Sequence, residues 1–197
     1  MIRIRLIVLA ALVLGPGFIA RPAVQSQDAP RIDYRVLATS RTSTMEKELN
    51  DAADLGFRFT SVMGGETAIG GKEVVVVLSR TADAKPRYRY KLLATNRTST
   101  MQREMQEAAD GGFEYVGQTV FESTFGGKEV VCILERDRNL TTPVPFRYQL
   151  LATTRTSTLQ KELQMVGDQG YELVGMTVGK TAMGGTELVA ITRRPQR

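Results

Sequence analysis

Apolar residues recur along this chain with two periods in alternation. From Tyr34 to Thr39 they alternate with polar ones, Tyr34, Val36 and Ala38 on one face and Leu37 on the other, which is the pattern of a half-buried strand. The period then lengthens. Met45, Leu49, Ala52 and Ala53 stand at i, i+4, i+7 and i+8, the stripe of an amphipathic helix of about three turns. Gly56 follows where a left-handed residue ends a helix. Phe57 to Val62 reads as a second strand. Glu73 to Leu78 reads as a third, apolar at consecutive positions, so it predicts a strand covered on both faces.

The passage is written three times. The segment Arg-Thr-Ser-Thr opens at Arg41, Arg97 and Arg155, displaced by 56 and then 58 residues, and the same offsets carry Tyr34 to Tyr90 and Tyr148. The helical stripe returns as Met101, Met105, Ala108 and Ala109, and as Leu159, Leu163 and Val166, with stops at Gly112 and Gly170. The two-residue difference falls in the connectors, where Pro86, Pro143 and Pro145 suit short extended linkers. Three units follow, at residues 32–80, 88–137 and 146–195.

With its third strand doubly covered, each unit is expected to be a β-α-β-β repeat of the α+β class: an antiparallel three-stranded sheet of order 1-3-2 with one helix on one face. A lone unit of roughly 57 residues buries only about 60% of its unfolded surface and is marginal alone. The expectation is therefore a compact pseudo-threefold single body, helices outside and sheets inward. Loosely linked units or a homo-oligomer would satisfy the same pattern.

Residues 1–26 differ in kind. Arg3 and Arg5 precede an apolar run from Leu6 to Gly15, Pro16 and Gly17 break it, and Val24, Gln25 and Ser26 end in a small residue, together reading as a secretory signal peptide. The run is too short to span a bilayer comfortably. A periplasmic or secreted location is expected, with no stable membrane anchor after cleavage. The chain carries 26 Lys and Arg against 21 Asp and Glu, a net charge of +5. Three of those arginines, Arg3, Arg5 and Arg21, fall in the leader, which leaves the remainder nearly balanced and without the basic stripe of a nucleic-acid binder.

Composition removes most familiar chemistry. Among 197 residues there is no His and a single Cys, so Ser-His-Asp and Cys-His nucleophile systems, a disulfide framework and thiolate-rich zinc sites cannot be assembled. No cofactor or metal is implied. Cys132, opposite Val76 and Ala190 in the other units, reads as a buried small hydrophobe.

The helix followed by Gly170-Tyr-Glu-Leu-Val174 resembles a small bacterial domain family of unknown function, whose signature is a Gly-Trp-Glu-Leu-Val segment after a short Leu-rich helix. The resemblance covers most of each unit. It implies a β-α-β-β fold and brings no activity, substrate or catalytic residue. Phe57, Phe113 and Tyr171 stand where the family has Trp.

The sharpest candidate for binding is the repeated segment: Arg41, Ser43 and Thr44, Arg97, Ser99 and Thr100, and Arg155, Ser157 and Thr158. It puts a guanidinium and hydroxyls at a helix N-terminus, where free N–H groups favour an anion. A cation there opposes the helix dipole, so a ligand or a carboxylate such as Glu48, Glu73, Glu104, Glu129, Glu162 or Glu187 should compensate it. The simpler expectation is that Ser43, Ser99 and Ser157 cap their helices, with Glu46, Gln102 and Gln160 three residues on completing capping boxes. Glu46, Glu48, Asp51 and Asp54 read as the solvated helix face, Met63, Met176 and Met183 as core fillers, and the Gly-Gly pairs as hairpin turns. These readings favour a non-enzymatic module whose repeated faces bind another macromolecule or each other. A small-anion-binding protein using the three Arg-Thr-Ser-Thr sites is the alternative.

Overall fold

The structure is a computed structural model and describes residues 31–67, 71–122, 128–142, 144–180 and 185–196. The expected leader lies outside them, as do Met183 and most of the Gly-Gly turns. Unit 1 comprises β1 (Ile32–Thr39), α1 (Thr42–Ala53), β2 (Arg58–Thr67) and β3 (Gly71–Thr81). Unit 2 comprises β4 (Tyr88–Thr95), α2 (Thr98–Asp110), β5 (Glu114–Glu122) and β6 (Lys128–Asp137). Unit 3 comprises β7 (Phe146–Thr153), α3 (Thr156–Asp168), β8 (Glu172–Lys180) and β9 (Thr186–Pro195). Each unit forms its own antiparallel sheet with the third strand central, in orders β1-β3-β2, β4-β6-β5 and β7-β9-β8. The fold is the expected threefold repetition of β-α-β-β.

The helix stops are as the sequence predicts. Gly56, Gly112 and Gly170 have φ of 85°, 81° and 81°. Behind each, a paired closure forms: Phe57 N–H donates to Ala52 O and Gly56 N–H to Ala53 O, and Phe113 and Tyr171 repeat it on Ala108 and Val166. This is the Schellman arrangement, which satisfies carbonyls the helix leaves open. Arg80 and Arg194 reinforce it. Each guanidinium lies over the aromatic ring just past the helix, Phe57 or Tyr171, and donates to a carbonyl of the closing turn, Leu55 O or Gln169 O.

The helix starts differ from expectation. Each helix begins two residues earlier than a Ser cap requires, with Arg41, Arg97 and Arg155 in extended conformation at the cap position and no side-chain cap bond. The turn is held instead from behind: Thr39, Thr95 and Thr153 accept the N–H of the arginine two residues on. The capping box does not form in any unit, because Ser43, Ser99 and Ser157 lie inside the first helical turn rather than at the cap position; Glu46 and Gln102 are engaged with the next unit instead.

Cores are shared across units. Met45, Leu49, Ala52 and Ala53 of α1 and Val74, Val76 and Leu78 of β3 belong to one buried cluster with Tyr90, Phe121, Val131 and Ile133 of unit 2. A second cluster joins Met101, Met105, Val130, Cys132 and Leu134 of unit 2 to Tyr148, Val189 and Ile191 of unit 3. A smaller third cluster, Leu151, Leu159, Val166 and Ala190, closes unit 3. Alternate residues of β6 and β9 thus face their own helix and the preceding unit, which is why those strands are apolar at every position. β3 is the exception: Val74, Val76 and Leu78 are buried, while Val75 and Val77 are only half-buried, because among the described residues no unit packs on that face. The helices keep an exposed polar face, with Lys47 and Asp51 of α1 in solvent. α1 and α2 each pack on their own sheet while hydrogen-bonding to the first strand of the next unit.

Candidate functional site: the faces between and beyond the units

The first strand of each sheet lies at an edge, with a row of N–H and C=O groups that the ladder leaves unpaired. Between units 1 and 2 the edge of β4 is taken up by side chains of α1. Asn50 donates through Nδ2 to Tyr90 O and accepts at Oδ1 from Tyr90 N, both at 3.0 Å, so that one amide replaces one strand pairing. Glu46 Oε2 accepts from Leu92 N at 2.9 Å. Between units 2 and 3 the same helix positions recur as Gln106, bridging Phe146 O and Tyr148 N, and Gln102, bridging Tyr148 O and Leu150 N.

The repeated tyrosine anchors both junctions. Tyr90 and Tyr148 are each 2% exposed, and their hydroxyls accept the N–H of Phe59 at 2.8 Å and of Tyr115 at 2.7 Å, the equivalent residue of the preceding unit. Tyr90 also donates to Glu135 at 2.8 Å. Burial, with the Glu135 charge beside it, pushes the Tyr90 phenol well above its ordinary range, and burial raises that of Tyr148, so each stays a neutral hydrogen-bonding post.

A charged pair crosses each junction at one equivalent place with its signs exchanged. In the first, Arg58 of unit 1 grips buried Glu135 of unit 2, Nη2 to Oε1 at 2.9 Å and Nε to the same oxygen at 3.1 Å. In the second, Glu114 of unit 2 faces Arg193 of unit 3 at 3.5 Å. Second strands also approach closely. Gly117 lies against Phe59 and Gly175 against Tyr115, where a Cβ would come within 2.7 and 2.4 Å of the aromatic residue.

These surfaces occur a third time, with no partner among the described residues. Tyr34, the counterpart of the two anchors, is 65% exposed, and Val36 and Met63 on the same face of sheet 1 are 63% and 57% exposed. We call this face the head. At the other end Leu173, Met176 and Val178 of β8 and Met165 of α3 are exposed, beside exposed Gln160 and Gln164, the counterparts of the junction amides. We call this face the tail. Met63 and Met176 are therefore surface residues, not core fillers, and Glu46 belongs to a junction rather than to the solvated helix face. Asp51 and Asp54 do lie in solvent, paired with Lys47 at 2.6 Å and Arg138 at 2.7 Å.

Arg41, Arg97 and Arg155 are exposed, as are Ser43, Ser99 and Ser157; Thr44 is exposed, and Thr100 and Thr158 are half-buried. Among the described residues no ion pair joins the three arginines to a carboxylate, and no hydrogen bond links one segment to another. Of the candidate carboxylates, Glu187 accepts from Thr98 across the second junction, and Glu162 leaves one oxygen buried without a hydrogen-bond partner. A cleft of about 490 Å3 sits elsewhere, lined by Arg147, Gln169, Gly170, Arg194, Pro195 and Gln196, where Arg194 is already committed to the helix end. Cys132 is fully buried against Met101, and burial pushes its thiol up to about 12. No cluster of metal-ligating side chains and no helix long and apolar enough to cross a membrane occurs among the described residues.

The junction amides and tyrosines carry a signal in the sequence. Asn50, Gln106 and Gln164 recur at one helical position, four residues after Glu46, Gln102 and Gln160, on a stripe beside the apolar one. Amides held in register on a helix face next to the core mark a second packing partner. Comparison with protein-family models, with curated proteins and with solved structures returns no match.

Proposed function

We propose that the chain is a non-enzymatic, exported interaction module, periplasmic or secreted, that binds a macromolecule through the two ends of its stack. One observation carries the reading. The apolar and amide-bearing surfaces that hold the units together inside the chain are present again, uncovered, at head and tail, with Tyr34 65% exposed where Tyr90 and Tyr148 are 2% exposed. Soluble chains rarely leave a contiguous apolar face open unless something docks on it. The absence of His and of a paired nucleophile from the composition supports the non-enzymatic part, and the apolar leader supports export. The Arg-Thr-Ser-Thr segments gain no ligand geometry that would favour the anion-binding alternative.

In vivo photo-crosslinking tests the proposal. With a photoreactive phenylalanine analogue at position 36 or 176, adducts to another protein molecule are expected from both positions, and a probe at exposed Lys47 should give none. No adduct from either end, or adducts confined to residues 1–30 of the same chain, would overturn it.

A further inference from the structure

We infer that the partner at each end is a second copy of this chain, docked head to tail, with α3 and β8 of one molecule seated on β1 and β2 of the next. The inference rests on the interaction-module reading and gives it an occupant. Both halves of the contact are already used inside the molecule, since a unit's helix and second strand meet the first and second strands of the following unit twice. The third such meeting has no partner among the described residues, and another copy supplies both of its halves.

The end residues fit that third junction position by position. Gln164 takes the place of Asn50 and Gln106, and Tyr34 the place of the tyrosines they clamp, so its amide would bridge the open main chain of β1. Gln160 takes the place of Gln102, which accepts from Leu150 N, and would accept from Val36 N. Gln164 is held in the same pose as Gln106, each donating to an aspartate four residues on, Asp168 at 3.1 Å and Asp110 at 2.8 Å. Gln164 thus makes the same intrahelical bond as an amide in a junction already made.

Bulk and charge are matched as well. Inside the chain the aromatic residues Phe59 and Tyr115 each meet a glycine, Gly117 and Gly175, because a Cβ there would collide. At the ends both members change together: the glycine becomes Ser61, and the residue facing it becomes the smaller Leu173. A head that never met a tail would not need this exchange. The charged position changes too. Glu172 occupies the place of Arg58 and Glu114, and opposite it the head offers Ser79, where the internal heads carry Glu135 and Arg193. Ser79 accepts Glu172 without repulsion, whereas the acidic tail set against Glu135 would place two carboxylates together.

A contact of this kind is heterologous, giving rings when the rotation between units closes and open filaments when it does not. It makes a specific demand on mixtures. Val36→Glu disables the head and Met176→Glu the tail, each placing a charge in the contact at a site exposed in the single chain. Sedimentation velocity of the purified chain should show mass rising with concentration beyond one molecule. Each variant alone should sediment as a monomer. An equimolar mixture should form a one-to-one dimer that grows no further, because the one intact head and the one intact tail are both used in that contact. Unchanged thermal midpoints of the variants confirm their folding, and Gln164→Ala, which adds no charge, should weaken association at least fivefold.

A chain that stays monomeric up to about 1 mM, the weak end of specific association, overturns self-docking. So does a mixture that remains monomeric, or a Met176→Glu variant that still dimerises through its heads. Self-docking would fail alone, leaving the interaction-module reading in place, if the monomeric chain still crosslinked at positions 36 and 176 to a different protein. Loss of those crosslinks as well would remove both.

Discussion

The two internal junctions have the same architecture and opposite electrostatics. In each, a helix clamps the edge of the next sheet, a tyrosine is buried, and a second strand closes over a small residue. Yet the first places Arg58 on the leading unit and Glu135 on the following one, and the second places Glu114 first and Arg193 second. Were units 2 and 3 exchanged, Arg58 would meet Arg193. The helix clamps and tyrosine anchors are common to both junctions, and the exchanged charges are what distinguish one from the other. Repetition makes a stack, and departures from repetition number its members.

Breaking the anchors should have the largest effect. Tyr90→Ala and Tyr148→Ala remove buried aromatics and strand a main-chain donor, and each is expected to cost about 3–5 kcal/mol, the range for truncating a buried aromatic. Tyr34→Ala, at the same position of the repeat, should stay within about 0.5 kcal/mol in dilute protein. Urea denaturation followed by circular dichroism measures all three, and equal losses would erase the distinction between junctions and ends.

The amide clamps come next. Gln106→Ala leaves the Tyr148 N–H of β7 unpaired, Phe146 O keeping its bond from Gln196, and should cost about 1–3 kcal/mol, while Gln164→Ala should be nearly silent in the monomer. The charged pair sharpens the comparison of the junctions themselves. Arg58→Glu, facing Glu135, should lose about 1–2 kcal/mol, discounted because Arg58 is more than half exposed. The double exchange Arg58→Glu with Glu135→Arg, which copies the polarity of the second junction, should recover at least half of that loss. A double variant no better than the single one would mean the order is set elsewhere. The smallest effect is kinetic: Cys132 should react with an aromatic disulfide reagent only as fast as the protein unfolds, and prompt labelling at pH 8 would show that β6 is accessible.

The unit itself was legible from the sequence, because each of its features is local. Alternation marks β1, the stripe from Met45 marks α1, Gly56 closes it, and the consecutive apolar run of β6 announces a strand with two covered faces. The run in β3 is as apolar as that in β6, yet only β6 has both faces covered, since coverage depends on what precedes the unit and not on the strand. The helix starts misled for a related reason. Ser43 and Glu46 have capping-box spacing, but the helix already begins at Thr42, and the Glu46 carboxylate meets Leu92 N of the next unit, a partner 46 residues away that spacing cannot reveal. Tyr34, Tyr90 and Tyr148 read identically and differ in burial only through their place in the series. The alternating charges were hidden by the search for sameness, because Arg58, Glu114 and Glu172 appear as noise until their partners are known.

Methionine oxidation by dilute peroxide, mapped by mass spectrometry in the native chain at low concentration, tests serial stacking with open ends most directly, since the residues needed are already in place. Met63, Met165 and Met176 should oxidise rapidly, while Met45, Met101 and Met105, buried in the two shared cores, stay reduced until the protein unfolds. Rapid oxidation of Met45, Met101 and Met105 alongside the others, or protection of Met63 and Met176 in the dilute monomer, would contradict the stack.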